Sequence, residues 1–227
     1  MVEQAFDLDA YFRRIDYVGS TEPSLATLTA LQRAHGGRIP FENLDVLLGR
    51  PIRLEAEVLQ DKLVRRRRGG YCFEQNSLFL HVLRALGFEA TVLAARVLYR
   101  RPPDVLTPRT HMLLRVQLGE GPQLVDVGFG GATPTVPLVV VADREQMTPL
   151  EPFRLVEAEA ELALQVRSDG HWTTLYRFAQ EAQHPVDLEL PNWFVATHPD
   201  SFFVNHLMVA LPAVDGRHAL LDLDYSF

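Results

Sequence analysis

Arg68-Gly69-Gly70-Tyr71-Cys72-Phe73-Glu74-Gln75-Asn76 holds the chain's single cysteine, at the junction between a glycine pair and an amphipathic helix. A lone thiol forms no internal disulfide, so either its packing or its reactivity has to account for it. Gly69 and Gly70 let the backbone turn sharply, and Cys72 then falls in the first turn of the following helix. There the unsatisfied N–H groups and the positive end of the helix dipole favour thiolate over thiol. The plainer reading is a small buried hydrophobe, a common state of free cysteine. What the rest of the chain brings to the thiol decides between the two.

At 227 residues and 47% hydrophobic, the chain can bury a substantial core, as one large domain or as two to three small ones sharing it. A formal charge of −7 argues against general affinity for nucleic acid or anionic membrane. The run Arg65-Arg66-Arg67-Arg68 is the exception. Its first three members read as a solvated helix end, whereas Arg68, beside the glycine pair, is expected to hold Glu42. The start, Met1-Val2-Glu3-Gln4, has neither the positive region nor the apolar stretch of a signal peptide, and no apolar run is long enough to span a bilayer. One cysteine and no Asn-x-Ser/Thr acceptor fit a reducing cytoplasm.

The first third reads as helical. Thr21-Glu22-Pro23-Ser24 is a start signal; Leu25, Leu28 and Leu31 keep helical spacing, and Gly36-Gly37 is expected to stop the helix. A second helix is expected over residues 54–67 and a third from Cys72 to Gly87. The period then changes: residues 91–98, 111–116, 123–127, 153–157, 162–167 and 172–178 read as strands, with a hairpin at Asp169-Gly170. Short antiparallel strands at this spacing suggest a small barrel or curled sheet. After Pro191 a short helix carries Trp193 and Phe194, followed by a hairpin of residues 207–211 and 219–224 turning at Asp215-Gly216. That last strand reads as unfinished at Phe227, with a helix over its edge expected next, so the chain reads as a truncated form of a longer fold.

Two residues turn the cysteine into a candidate triad. His111 opens an apolar strand, and Asp126 lies in another, 124–127, whose neighbours give a carboxylate no reason to be there. A buried aspartate is costly unless paired, and an imidazole is its natural partner. The thiolate then attacks, His111 forms the ion pair and shuttles protons, and Asp126 fixes the tautomer. A nucleophile at a helix start with the other two on strands is the papain-like arrangement. Taken singly, His111 also reads as a solvated strand-end residue and Asp126 as a cap on the adjacent glycines. The other histidines show no metal-ligand spacing and no cysteine partners, which argues against zinc. The stretch Val127-Gly128-Phe129-Gly130-Gly131-Ala132-Thr133-Pro134-Thr135 lacks a nucleotide P-loop ending, but suits close approach of backbone N–H groups to a phosphate or an acyl oxygen.

In order, Arg38-Ile39-Pro40-Phe41-Glu42-Asn43-Leu44-Asp45, the cysteine string, Ala95-Arg96-Val97, Thr110-His111 and Leu124-Val125-Asp126-Val127-Gly128-Phe129-Gly130-Gly131 resemble the signature elements of the arylamine N-acetyltransferase family. The likeness spans roughly the first 140 residues and is looser beyond. It implies an α+β fold: an N-terminal helical bundle (residues 1–87) carrying the nucleophile, a central antiparallel β-barrel (88–190) carrying His111 and Asp126, and an interdomain helix with a partial, truncated C-terminal α/β lid (191–227). Family members usually continue well past this chain's end. The resemblance further implies a ping-pong reaction without metal: acetyl-CoA acetylates Cys72, CoA leaves, and an arylamine, arylhydrazine or N-arylhydroxylamine takes the acetyl group. Cys72, His111 and Asp126 match the family's triad. Its CoA contacts match Thr110, Gly128, Phe129, Gly130 and Gly131, and its acceptor pocket matches Phe41, Val97, Phe129 and one of Phe202 or Phe203. A cytoplasmic monomer or homodimer is expected, with small-molecule partners and neither nucleic acid nor membrane.

The chemistry agrees. Thiolate displaces thiolate from a thioester at little net cost, and an aromatic, glycine-lined cleft favours a flat apolar amine over water. The Cys72 backbone N–H is the expected oxyanion donor. Three rivals stand: a thiol hydrolase or transglutaminase-like enzyme with an open peptide groove, a binding module with an idle triad, and a family member that closes amides on polyketides.

Overall fold

The structure, a computed structural model, describes residues 6–102 and 105–227. The opening tetrapeptide read above lies outside the described residues. Helix α1 (Leu8–Ile15) starts on Asp7, whose carboxylate accepts from the Ala10 N–H at 2.9 Å. Helix α2 (Leu25–Arg38) starts on Ser24, as the start signal predicts, but continues through Gly36-Gly37. Tertiary bonds override the glycines' poor propensity, about 1 kcal/mol each. His35 is locked on both ring nitrogens, and the terminal Arg38 carbonyl accepts from Arg14 Nη1 at 2.6 Å.

Strand β1 (Phe41–Glu42) and α3 (Leu44–Leu47) lead to α4 (Ala56–Leu59). Instead of one helix over 54–67, α4 widens into a π-helical stretch, Gln60–Arg65. The widening frees the Leu63 carbonyl, which accepts from buried Arg14 Nε at 2.8 Å. It also turns Lys62 inward, where Nζ lies 2.7 Å from both the Asp45 and the Glu74 carboxylates. No sequence pattern announces this, because the bonds that stabilise it come from distant residues. Helix α5 (Cys72–Ala85) closes the bundle.

Eight antiparallel strands follow: β2 (Glu89–Val97), β3 (Arg109–Leu118), β4 (Gly121–Val125), β5 (Leu138–Val139), β6 (Glu145–Met147), β7 (Pro152–Ala158), β8 (Glu161–Ser168) and β9 (His171–Phe178), in the order β5-β4-β3-β2-β9-β8-β7-β6. The two edges meet through one side chain. Gln146 of β6 accepts from the Val139 N–H at 2.8 Å and donates to the Val139 carbonyl at 2.9 Å, so the sheet is a nearly closed barrel. Strand alternation sends Leu93, Leu113, Leu164 and Phe178 into the barrel, while Val92, Met112, Leu114 and Val116 cover the helical bundle. Asp169 (φ 52°) and Gly170 (φ 78°) make the expected tight turn. Strands β5 and β6, of two and three residues, are too short to show alternation and were not legible.

Helix α6 (Pro185–Thr197) starts well before Pro191, which it contains. Its start is signalled by Pro185 in the first turn and by Asp187, which accepts from the His184 N–H at 2.8 Å. After α7 (Phe202–Asn205) come β10 (Met208–Pro212), β11 (Arg217–Leu221) and β12 (Asp224–Ser226), pairing in the order β1-β10-β11-β12. The strand expected over 219–224 is therefore two strands, broken where Asp222 adopts a left-handed φ of 53°. The lid's sheet begins on β1, far away in sequence.

Fully buried His35 links three helices. It accepts from the Tyr11 hydroxyl at Nδ1 (2.9 Å) and donates from Nε2 to Gln75 Oε1 (2.7 Å). Burial drives its pKa from 6.5 to about 4, although the Gln75 bond opposes the fall. The unfolded chain therefore binds one more proton between these values, so this contribution is present above pH 6.5 and is lost as pH falls through about 4. The loss amounts to about 3 kcal/mol. His35→Gln keeps an acceptor and a donor but cannot charge. Urea unfolding at pH 7 and 4.5 should show a shallower acid limb in this variant than in wild type; equal limbs would contradict the assignment.

Candidate active site

The turn before Cys72 is built by close packing. Neither Gly69 nor Gly70 takes a positive φ, so close approach, not backbone conformation, is what calls for glycine here. A Cβ on Gly69 would lie 2.2 Å from the Pro40 carbonyl oxygen, and one on Gly70 would lie 2.7 Å from Glu74 Oε2. The glycines let this loop press against β1, where the Glu42 N–H donates to the Gly70 carbonyl at 3.1 Å. Arg68 donates to Glu42 Oε1 from Nη2 at 2.9 Å and Nε at 3.2 Å, the expected pair, and also reaches Asp45 at 3.4 Å. Buried Glu74 caps α5 by accepting from the Tyr71 N–H at 3.1 Å. Burial raises its pKa to about 7 against the pull of Lys62. The Tyr71 hydroxyl donates to Asn192 of α6.

Cys72 is thus fixed at the first position of α5, with Sγ 3.9 Å from the Thr110 carbonyl oxygen and close enough to His111 to help keep that ring protonated. A bulge in β3, opposite the Ala95–Arg96 step, leaves Thr110 as the extra residue and turns His111 inward. His111 Nε2 lies 2.7 Å from Asp126 Oδ2, which leaves Nδ1 for the sulfur. Asp126 stands just past the end of β4 rather than within a strand 123–127. There it is free to accept at Oδ1 from Asn76 Nδ2 (3.0 Å) and from the Gly128 N–H (2.9 Å). Burial alone would lower the His111 pKa; the Asp126 carboxylate, with the bonds to it and to Cys72, outweighs burial and holds it well above an ordinary imidazole. Asp126 is held low despite a burial effect that would raise it, by His111 and by the Asn76 and Gly128 donors.

The glycine loop lies against Cys72. Gly128 packs on the Cys72 backbone, and Gly130 (φ 83°) faces Phe41 and Met208. Gly131 is open on its Cβ side. The Phe129 ring stands edge-on to His111 at 5.2 Å and also meets Tyr176 and Tyr99. Phe203 packs on Phe41 at 5.9 Å and on Tyr71 at 6.0 Å. Phe202 instead lies half-exposed against His206. Val97 ends β2 opposite Tyr176. Among the described residues, no group of three or more His, Cys, Asp or Glu could hold a metal, and no helix is long and apolar enough to cross a membrane.

Residues 24–227 match the family described as N-acetyltransferase. The chain belongs to that family. The arylamine N-acetyltransferase of Mycobacterium tuberculosis is 46% identical over 226 residues, 98% of this chain and 80% of the relative. The solved arylamine N-acetyltransferase structure from M. tuberculosis superposes with a TM-score of 0.95 at 46% identity, covering 96% of this chain and 83% of that one. The Mycobacterium marinum arylamine N-acetyltransferase in complex with CoA gives a TM-score of 0.92 at 48% identity, covering 95% of this chain and 80% of that one.

Sequence reading missed three residues of this N-acetyltransferase's site. Asn76, four positions after Cys72, falls on the same helical face, and that spacing was a usable signal. Tyr176, whose ring lies tilted at 5.0 Å from His111, is one barrel-facing residue among many and carries no mark. Asn43 donates to the Phe203 and His206 carbonyls and accepts from the Met208 N–H, all at 2.7–2.8 Å, tying the lid to β1.

Gly128→Ala tests the packing. Its Cβ would lie 2.8 Å from Cys72 Cα and 2.9 Å from Asn76 Nδ2. The N-acetyltransferase should lose about 10²-fold in the rate of acetyl transfer and about 1–3 kcal/mol of stability, read by stopped flow and by urea unfolding. A wild-type rate in this variant would contradict the geometry.

Proposed function

We propose that this N-acetyltransferase moves an acetyl group from acetyl-CoA to arylamines, arylhydrazines or N-arylhydroxylamines through a thioester on Cys72. One observation carries the reading: a buried His111–Asp126 ion pair, 2.7 Å long, set against the only thiol in the chain. In the first half-reaction the Cys72 thiolate attacks the thioester carbonyl, and the Cys72 N–H at the start of α5 donates to the developing oxyanion. The carbon–sulfur bond to CoA breaks, and the CoA thiolate takes the His111 proton. In the second half-reaction the neutral amine attacks acetyl-Cys72, His111 accepts the amine proton, and the thiolate returns. Asp126 stabilises the imidazolium in the thiolate state.

Thr110 and the Gly128–Gly131 loop, with Phe129, are the reading's CoA contacts. Gly131, half-buried and open on its Cβ side, leaves room for phosphate and amide oxygens to approach the loop backbone. Phe41, Phe129 and Phe203, with Val97 nearby, supply flat apolar surface for the acceptor, and the packing of Phe203 on Phe41 favours it over Phe202. In this reading the helical segment 1–87 contributes the nucleophile and Phe41, the barrel segment 88–190 the acid–base pair with Phe129 and Val97, and the lid segment 191–227 Phe203. A formal charge of −7 supports a chain without nucleic-acid partners, and its single cysteine a reducing, cytoplasmic setting. The reading takes the protein as a monomer or homodimer.

Intact mass spectrometry tests this. Mixing with acetyl-CoA should add about 42 Da, one acetyl group replacing one hydrogen, to the wild-type chain and nothing to Cys72→Ala. Adding an arylamine should remove the adduct and release the N-acetyl product. No adduct, or an adduct that persists in Cys72→Ala, overturns the reading. Amide hydrolysis without acylation by acetyl-CoA would favour the thiol hydrolase.

A further inference from the structure

Asn76 is fully buried one turn beyond Cys72 on α5, and its amide serves three elements at once. Nδ2 donates to the Met112 carbonyl at 2.8 Å and to Asp126 Oδ1 at 3.0 Å, while Oδ1 accepts from the Val127 N–H at 3.1 Å. Met112 follows His111 in sequence, and Val127 follows Asp126. A single side chain therefore grips the backbone beside both partners of the cysteine. With the Gly128 N–H as second donor on Oδ1, Asp126 keeps Oδ2 for His111.

We propose that Asn76 is a positioning residue whose amide registers the nucleophile's helix against His111 and keeps Asp126 aimed at the imidazole. The inference rests on the Cys72–His111–Asp126 reading above. At this side-chain length only an amide offers two donors and an acceptor without charge. Alanine would orphan the Met112 carbonyl and the Val127 N–H and would strip one donor from Asp126. Aspartate keeps the shape but sets a second carboxylate against Asp126, so the pair retains one proton between them near neutrality. That shared proton stands in for the lost donor until it leaves. The titratable groups facing Asp126 are His111 from β3 and Tyr176 from β9, with Cys72 of α5 behind His111. The Asn76 donor favours the ionised carboxylate, and that charged carboxylate is the main group that favours the proton on His111.

The test compares wild type, Asn76→Ala and Asn76→Asp in single-turnover acetylation by acetyl-CoA and in iodoacetamide alkylation of Cys72 across pH, with circular dichroism as the check on folding. Asn76→Ala should acetylate about tenfold to a hundredfold more slowly at pH 7, with the acetyl-CoA KM within about twofold and the alkylation midpoint moved to higher pH. Asn76→Asp should lie nearer wild type below neutrality and fall away as pH rises, over a range where wild type stays level. If the alanine variant does not fold, the pH profile of the aspartate variant decides alone. A wild-type alkylation midpoint in folded Asn76→Ala, or an Asn76→Asp profile parallel to wild type, overturns the proposal. If wild type itself takes no acetyl group, the function reading has failed instead.

Discussion

Two opposite charges sit in the protein interior at His111 and Asp126, 3% and 0% exposed, and much of the fold serves to make that tolerable. Burying an ion pair costs several kcal/mol per charge, and an attractive contact offsets this only if every remaining lone pair and proton is satisfied. Asp126 meets the condition through three accepted bonds: one from His111 on Oδ2, and two on Oδ1 from Asn76 and Gly128. Leaving either charge without its partner would cost about 3–5 kcal/mol. The charged imidazole then has one nitrogen not engaged by Asp126.

The same constraint explains why three distant segments converge here. The barrel contributes His111 from β3 and Asp126 from the residue just past β4, and β3 and β4 pair directly, so the sheet holds both. The thiol comes from the first turn of a helix whose preceding loop packs without Cβ atoms against β1. Strand β1 pairs on its other side with β10 of the lid, Phe41 opposite Ala210. The Gly69–Gly70 loop, Phe41 and the lid are thereby joined through two residues of strand. Beneath them Arg14 donates to the backbone carbonyls of Leu63, Arg38 and Arg68, which ties α1 to the same loop. A site mounted in this way moves as one body with its scaffold.

Legibility in the sequence followed the range of the forces involved. Local signals held: Ser24 at a helix start, Asp169-Gly170 at a hairpin, alternation in the longer strands, and the motif strings carrying the family likeness. Long-range bonds defeated local rules. Gly36-Gly37 stays helical because Tyr11, Gln75 and Arg14 hold the residues around it. The π-helical Gln60–Arg65 and the proline-containing α6 are likewise stabilised from outside, the latter by Asn192, which bonds Tyr71 and the Ile52 carbonyl. At the site, residue types with unusual chemistry stood out, and those with ordinary chemistry did not. Cys72, His111 and Asp126 are conspicuous in apolar surroundings; Asn76 and Tyr176 are important only because of what folding sets beside them.

The central claim is that Asp126 keeps the imidazole beside Cys72 charged above the ordinary imidazole value of 6.5. The most direct measurement is the nitrogen-15 spectrum of the His111 ring in selectively labelled protein, followed across pH in the absence of substrate. The account predicts both ring nitrogens protonated at neutrality, with the transition displaced to well above 6.5. A neutral His111 at pH 7, titrating like a histidine free in water, would contradict it.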